Sequence, residues 1–377
     1  MEASEFFDRI RPWSERKHRL LQKYLPPFIA KVATTSARRE IYIVDGFAGA
    51  ARYDDGAKGS PILIAEFGDV CAKWTRPANL RLINVEADRK KEGIFDSLEA
   101  ATASWVRDGR VSNLHSEFVS AVSGILGTIG SAPSLFFIDP FGPTALAFDQ
   151  LVPILSRKGG VTELIINFDQ DGLRRIVDAA LSPNTDPKTA ATNAQNVSAI
   201  MGSDDWRSTI EGQGLGTAEC EKVLLRLYLD KLATYDFDVV AYPIREALHT
   251  NPKYHYVYCT RHQDGLLLMN NFIREEEDSL YDEHVETKLT LFSDEASLTR
   301  EVDNRRSKLS KLVINQLQAM QTATRKQLRG KLIQVNFAEF HEKDYTAVIN
   351  DLLKDGKVRA RSGKTRINDD EPLSLKA

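Results

Sequence analysis

IYIVDGFAG, running from Ile41 to Gly49, is the stretch whose reading decides the fold. Ile41, Tyr42, Ile43 and Val44 form a short apolar run, and Asp45, Gly46, Phe47, Ala48 and Gly49 break it. A run of this kind ending in a glycine-containing turn reads as a buried strand of a parallel sheet. Upstream, Trp13–Val32 spaces Leu20, Leu21, Tyr24, Leu25 and Phe28 as an amphipathic helix, with Ser14 as its expected cap. Downstream, Ser60-Pro61 opens a helix through Trp74, and Leu80–Val85 forms a second strand ending in Glu86. Helices around Lys90–Trp105 and Phe118–Ile129 follow, then strands at Ser134–Ile138 and Thr162–Phe168, taken as the fourth and fifth. Strands alternating with helices imply a doubly wound α/β sheet.

Two late strands, Asp238–Ile244 and Tyr254–Thr260, leave no room between them for a long crossover helix and are expected to pair antiparallel. A mostly parallel Rossmann-like sheet with a late antiparallel strand is the methyltransferase variant rather than the dinucleotide-binding one. Residues 171–233 read as a helical insertion, with a polar, flexible interruption expected at Ser182–Asn196. From about Asn304 the character changes. Helical patterns at Arg305–Met320, Thr324–Ile333 and Glu342–Lys354 precede short strands at Lys357–Arg361 and Thr365–Ile367 around a Ser362-Gly363-Lys364 turn, which outlines a winged helix. The expected organisation is therefore a Rossmann-like domain over 1–300 and a basic winged-helix domain over 301–377.

At 377 residues with 42% hydrophobic and 27% charged side chains, the chain can bury cores for about two domains. Cys71, Cys220 and Cys259 lie far apart without metal-ligand spacing, which predicts neither zinc nor a disulfide framework. No apolar leader opens the chain and no stretch approaches a membrane span, so a cytoplasmic protein without a membrane partner is expected. Charge is unevenly distributed: residues 301–377 carry 16 Lys+Arg against 10 Asp+Glu, while the remainder is acidic. A basic module on an acidic body points to an anionic partner such as DNA or RNA, contacted through Lys357, Arg359, Arg361, Lys364 and Arg366. A solvated charged face accounts for the same charges equally well.

Gly46 and Gly49 permit close backbone approach to a ligand, and Glu86 is placed to accept ribose hydroxyls. The turn Asp45, Gly46, Phe47, Ala48, Gly49 does not match GxGxxG, which favours S-adenosylmethionine (SAM), a cofactor without a pyrophosphate, over NAD. Glycines serving turn geometry alone are the competing reading. A second cluster, Asp139, Pro140 and Phe141, ends the strand Ser134–Ile138 at the same sheet edge. It is similar to the (D/N)PP(Y/F/W) motif of amino methyltransferases, in which carboxylate or amide and backbone carbonyl hold a target amine and the aromatic stacks on a flipped base. The second proline is absent here, and a plain Asp-Pro turn with Phe141 in the core is the alternative. Lys17 and His18 could fold over a cofactor, but a charged pair on an amphipathic helix is more often solvated. Asp169 and Asp171 could face the cleft, although paired acids after a strand are commonly helix caps, and His255 and His262 read as structural.

The segments WSERKHRLLQKYL (Trp13–Leu25), YIVDGFAGAARYDDGAKGSPILI (Tyr42–Ile64), NVEAD (Asn84–Asp88), FFIDPFG (Phe136–Gly142) and YVYCTRHQDGLLLMNNF (Tyr256–Phe272) together resemble the three-Cys-motif partner (TcmP) family. That resemblance implies a methyltransferase-like Rossmann fold and a habitual partner, a radical-SAM-like protein with three cysteines. A fainter similarity, through AGAARY at Ala48–Tyr53 and the Asp139-Pro140 pair, points to ribosomal RNA adenine-N6 methyltransferases. The expectation is a SAM-dependent methyltransferase acting on an exocyclic amine of nucleic acid. The rival is a non-catalytic or SAM-binding accessory partner.

Overall fold

The computed structural model describes residues 11–88, 93–211, 217–246, 250–288 and 295–376. They fall into two compact units that meet in sequence at 261/262, not at the 300/301 boundary suggested by the change of charge. Each is described by itself.

The first unit is built on seven strands, β1 (Glu40–Asp45), β2 (Asn79–Glu86), β3 (Val111–His115), β4 (Ser134–Ile138), β5 (Thr162–Phe168), β6 (Asp238–Ile244) and β7 (Tyr254–Thr260). Their order is β3-β2-β1-β4-β5-β7-β6, and β7 runs antiparallel to both neighbours. This is a methyltransferase-like Rossmann sheet. The strand β3, which the hydrophobic pattern does not reveal, is an edge strand with only Val111 buried, so little apolar signal is required of it.

Helices α1 (Pro12–Val32), α2 (Ser60–Cys71), α3 (Ile94–Arg107), α4 (Phe118–Ile129), α5 (Val152–Leu155), α6 (Gln170–Leu181), α7 (Pro187–Met201), α8 (Asp205–Ile210) and α9 (Thr217–Ala233) complete this unit. Val44, Val85, Phe136, Ile138, Leu164 and Ile166 face α4 and the later helices in one apolar core. The alternate residues of the same strands face α1, which presents buried Leu21, Tyr24 and Leu25 to them.

Two local expectations change. Ser14 does not cap α1: the helix begins at Pro12 after Arg11, and Ser14 is buried in its first turn, where it shares a hydrogen bond with Tyr53. The polar stretch 182–196 is mostly helix rather than flexible connection. Asp186 accepts from Thr189 N, Pro187 opens α7, and Ala194, Val197, Ile200 and Met201 bury one side of it.

In the second unit, α10 (Gln263–Lys288) packs beside the segment preceding α13, because buried Asn270 donates to Phe340 O and accepts from Ala338 N, both at 2.9 Å. The rest is α11 (Glu295–Met320), β8 (Ala323–Thr324), α12 (Arg325–Val335), α13 (Glu342–Lys354), β9 (Val358–Ala360) and β10 (Pro372–Leu375). Thr324 and Gln327 form a capping box at α12. The three strands make a small antiparallel sheet in the order β8-β10-β9. The second strand of the expected hairpin is thus Pro372–Leu375 and not Thr365–Ile367. Leu373, fully buried, anchors the pairing, whereas Thr365 and Arg366 are exposed in the intervening loop.

Candidate active site

Strand register places a row of polar side chains along the carboxyl edge of the sheet, all on the face covered by α1. Asn84 lies beside Asp45 across β2 and β1, and Asp45 lies beside Phe137 in β4. Two residues further, Asp139 leaves β4 on the same side, while Asn167 of β5 lies beside Tyr256 of β7. Glu86, two residues past Asn84, extends the row at its other end. Carboxyl edges of this kind are where open α/β sheets bind ligands.

The turn after β1 is tied at both sides, since Gly46 N donates to Phe137 O at 2.9 Å and Ala48 N to Val85 O at 3.0 Å. Gly49 takes a left-handed φ of 64°, and a Cβ on Gly46 would stand 3.0 Å from the Phe118 ring. Glu86 does not simply point outward: its Oε2 accepts from Gly49 N and its Oε1 from Asp88 N, each at 2.9 Å. Its carboxylate fixes the turn and retains lone pairs for further donors.

Asp45 ends β1 with no exposed surface. Ser60 and Phe47 N hydrogen-bond it, yet Oδ2 has no partner. Burial, with Asp139 and Glu86 adding to it, raises its pKa to about 7 against those hydrogen bonds. A cation at Oδ2 would restore the charged form.

At the far end of the row, Lys17 Nζ donates to Asp139 Oδ2 and Asn167 Nδ2 to Asp139 Oδ1, both at 2.6 Å. The ammonium also lies 5.0 Å from the Tyr254 ring centroid. Lys17 and His18 are not solvated: they are 3% and 6% exposed. Burial, reinforced by Lys17 and opposed by Asp139, lowers the His18 pKa to about 4, so its imidazole is neutral. Its Nδ1 has no partner, and its ring centroid is 6.4 Å from that of Tyr53, whose pKa burial raises to about 12. Phe141 is 59% exposed and Pro140 is buried, so the aromatic of the Asp139-Pro140-Phe141 run is not in the core. Asp169 caps α6 through Gly172 N, as its position after β5 implied. His255, its pKa lowered to about 4 by burial and then Arg245, stands on β7 away from any candidate metal cluster, none being present among the described residues.

The sequence offers Lys17 and His18 of α1 over a cofactor only as the lesser alternative to a solvated pair, whereas both are buried. The signal for this is their placement on the helical face that also carries Leu21 and Tyr24.

Within the second unit Lys357, Arg359, Arg361, Lys364 and Arg366 are all exposed, just before β9, on it, and in the loop that follows it. Lys357 pairs with Asp355 at 3.5 Å and Arg359 Nε donates to Ser374 Oγ at 3.1 Å. The helix α13 is by contrast acidic in its first turn, through Glu342 and Asp344. No helix among the described residues is long and apolar enough to cross a membrane.

No family model matches the chain, and no curated protein matches it. The likeness to the three-Cys-motif partner family therefore rests on the quoted residues alone. Among solved structures the chain is similar to a putative rRNA-methylase from Clostridium thermocellum, with 9% identity, 67% of this chain and 98% of that one covered, and a TM-score of 0.29. It is also similar to the O-methyltransferase TomG from Streptomyces achromogenes, involved in tomaymycin synthesis and solved in complex with SAM. There the identity is 15%, coverage 69% and 94%, and the TM-score 0.27. Likenesses this distant bear on neither substrate nor activity.

Proposed function

We propose that the protein is a SAM-dependent methyltransferase acting on an exocyclic amine of nucleic acid. The observation that carries the reading is the unpartnered, fully buried Asp45 Oδ2 beside the Gly46–Gly49 turn. SAM, when bound, supplies an activated methyl group on a sulfonium. Asp45 would hold its methionine amino group, Gly46, Phe47, Ala48 and Gly49 would lie beneath its methionine part, and Glu86 would accept from its ribose while holding the turn. Asp139, Pro140 and Phe141 form the acceptor side, with the exposed ring of Phe141 placed to stack on a base.

In this reading the second unit is a winged helix that holds DNA or RNA through Lys357, Arg359, Arg361, Lys364 and Arg366. Because α13 opens on acidic residues, the phosphates are met by β9 and its loop rather than by that helix. Calorimetric titration with SAM is the first test. Removal of a charge-assisted hydrogen bond costs about 1.5–3 kcal/mol, so Glu86→Ala is expected to weaken SAM binding about tenfold or more. Unchanged affinity in a folded variant refutes the assignment. For the second unit, replacing Arg361, Lys364 and Arg366 by alanine is expected to flatten the salt dependence of nucleic-acid binding, by about 0.9 in logarithmic slope for each phosphate no longer neutralised. A slope equal to the wild type's removes these residues from the interface.

One observation favours a second reading. Both Asp139 oxygens are already engaged, by Lys17 and Asn167, as in a structural ion pair. An accessory protein that binds SAM without transferring methyl, in company with a radical-SAM-like three-Cys-motif partner, would show that arrangement. Labelled-methyl transfer to DNA or RNA separates the two.

A further inference from the structure

With both its oxygens taken, Asp139 is poorly placed to hold a target amine itself. Its partners direct attention to other atoms. A carboxylate only accepts, so Asn167 must turn its amino group toward Asp139, which leaves Asn167 Oδ1 as the other end; that oxygen is buried and has no partner. The residue next to Lys17 on α1 is His18, close enough to feel both the Lys17 and Asp139 charges, and its Nδ1 is likewise buried and unpartnered. Buried polar atoms are normally satisfied, and each exception asks for a ligand or a bound water. A buried acceptor on Asn167, which holds Asp139, and a buried unpartnered imidazole nitrogen on His18, which follows Lys17 on α1, are thus associated with one ion pair at the edge where the proposed methyl donor would lie.

Resting on the methyltransferase reading above, we infer that the acceptor amine donates one hydrogen to Asn167 Oδ1 and loses the other, as a proton, to His18 Nδ1, with Asp139 and Lys17 acting as positioning residues. The amine lone pair attacks the sulfonium methyl carbon, the carbon–sulfur bond breaks with its electron pair kept by sulfur, and the nitrogen's proton passes to the imidazole. No further reactant is needed. Such an assignment also narrows the acceptor. A histidine whose basicity is held low by burial and by Lys17 takes a proton from a weakly basic nitrogen, one whose lone pair is conjugated with a ring. It does not serve an aliphatic amine, whose methylated ammonium holds its protons far more tightly.

The first experiment needs no substrate. In the full chain labelled with 15N-histidine, His18 is expected to show an unprotonated Nδ1 at pH 7, in the Nε2–H tautomer; a protonated Nδ1 overturns the inference. The second compares transfer of labelled methyl from SAM to single-stranded DNA and RNA, with polylysine as the aliphatic control. His18→Gln and His18→Phe are each expected to lower transfer to nucleic acid about 100-fold or more, the ordinary worth of a positioned base, with SAM affinity unchanged. Two variants of different polarity guard against a fold defect, and thermal unfolding identifies one. Transfer that survives in both folded variants, or that prefers polylysine, overturns the role of His18 and leaves SAM-dependent transfer standing. A wild type that binds SAM but labels no probe sinks the methyltransferase reading and this inference together.

Discussion

The face of the sheet under α1 has two ends that answer the problem of buried polar groups differently. At the amino end of β5, Glu163 receives Tyr24 Oη–H at 2.5 Å and Thr260 Oγ1–H at 2.8 Å, and the Tyr24 and Tyr258 hydroxyls meet at 2.6 Å. Both carboxylate oxygens and both phenols have partners. At the carboxyl end, Asp45 Oδ2, Asn167 Oδ1, His18 Nδ1 and the Tyr256 hydroxyl have none. The same helix and the same strands carry both, so composition does not explain the contrast. A fully satisfied network pins α1 to the sheet, while an incompletely satisfied one leaves polar atoms that a ligand or bound water would complete.

The largest effect expected from breaking this contrast lies at the amino end. Glu163→Ala removes the acceptor for buried hydroxyls and is expected to cost about 3 kcal/mol of stability, with SAM affinity unchanged, as judged by urea unfolding and titration. A loss of SAM affinity without a loss of stability would reverse the roles of the two ends.

Asp45→Asn is expected to act in the opposite sense, weakening SAM binding about tenfold or more while stabilising the protein at pH 8. The sign follows from its raised pKa. Native Asp45 keeps its proton up to about pH 7, whereas the unfolded carboxyl releases it near 3.8, so the unfolded state binds fewer protons between those values. Stability from this group therefore falls as pH rises from about 4 to 7. Binding of a cation favours the ionised carboxylate, so SAM affinity rises over the approach to pH 7 and then levels. Titrations from about pH 5.5 to 8.5 check this; an affinity flat with pH in the wild type, or a slope that persists in Asp45→Asn, removes Asp45 from the cofactor site.

The contrast also explains what was legible in the sequence. Buried strands with Asp or Glu at their ends, and the late pair β6 and β7, are visible because apolar runs of about 4 to 8 residues are a one-dimensional signal. Strands β3 and β8 are not, since β3 buries only Val111 and β8 is only two residues long. The candidate residues on the chain's turns, Asp45 to Gly49, Glu86 and Asp139, were legible from position alone, but their partners were not. Nothing in the spacing of Lys17, Asn167 and Asp139 announces that the first two, from separate elements, each lie 2.6 Å from the carboxylate of the third. The second strand of the expected hairpin was misplaced because Thr365–Ile367 has the residue types of a strand, whereas the burial of Leu373 decides which segment pairs.

The smallest effect is the sharpest test of the contrast. Tyr258 and Tyr256 sit two residues apart on β7, on the same face, both fully buried, and burial raises the pKa of both phenols. Tyr258 shares its hydroxyl with Tyr24, whereas the Tyr256 hydroxyl has no partner. Tyr258→Phe is expected to cost about 1 kcal/mol, the net worth of one hydrogen bond together with the disturbance of Tyr24. Tyr256→Phe loses no hydrogen bond and relieves an unsatisfied buried hydroxyl, so its expected change is within about 0.5 kcal/mol of zero or slightly stabilising. If the Tyr256 hydroxyl waits for a ligand, the two stabilities move apart once an acceptor is added: single-stranded RNA together with S-adenosylhomocysteine stabilises the wild type more than Tyr256→Phe, but raises wild type and Tyr258→Phe alike. Equal costs for the two substitutions, with equal responses to added ligand, would mean that the two ends of this face differ in geometry only and not in purpose.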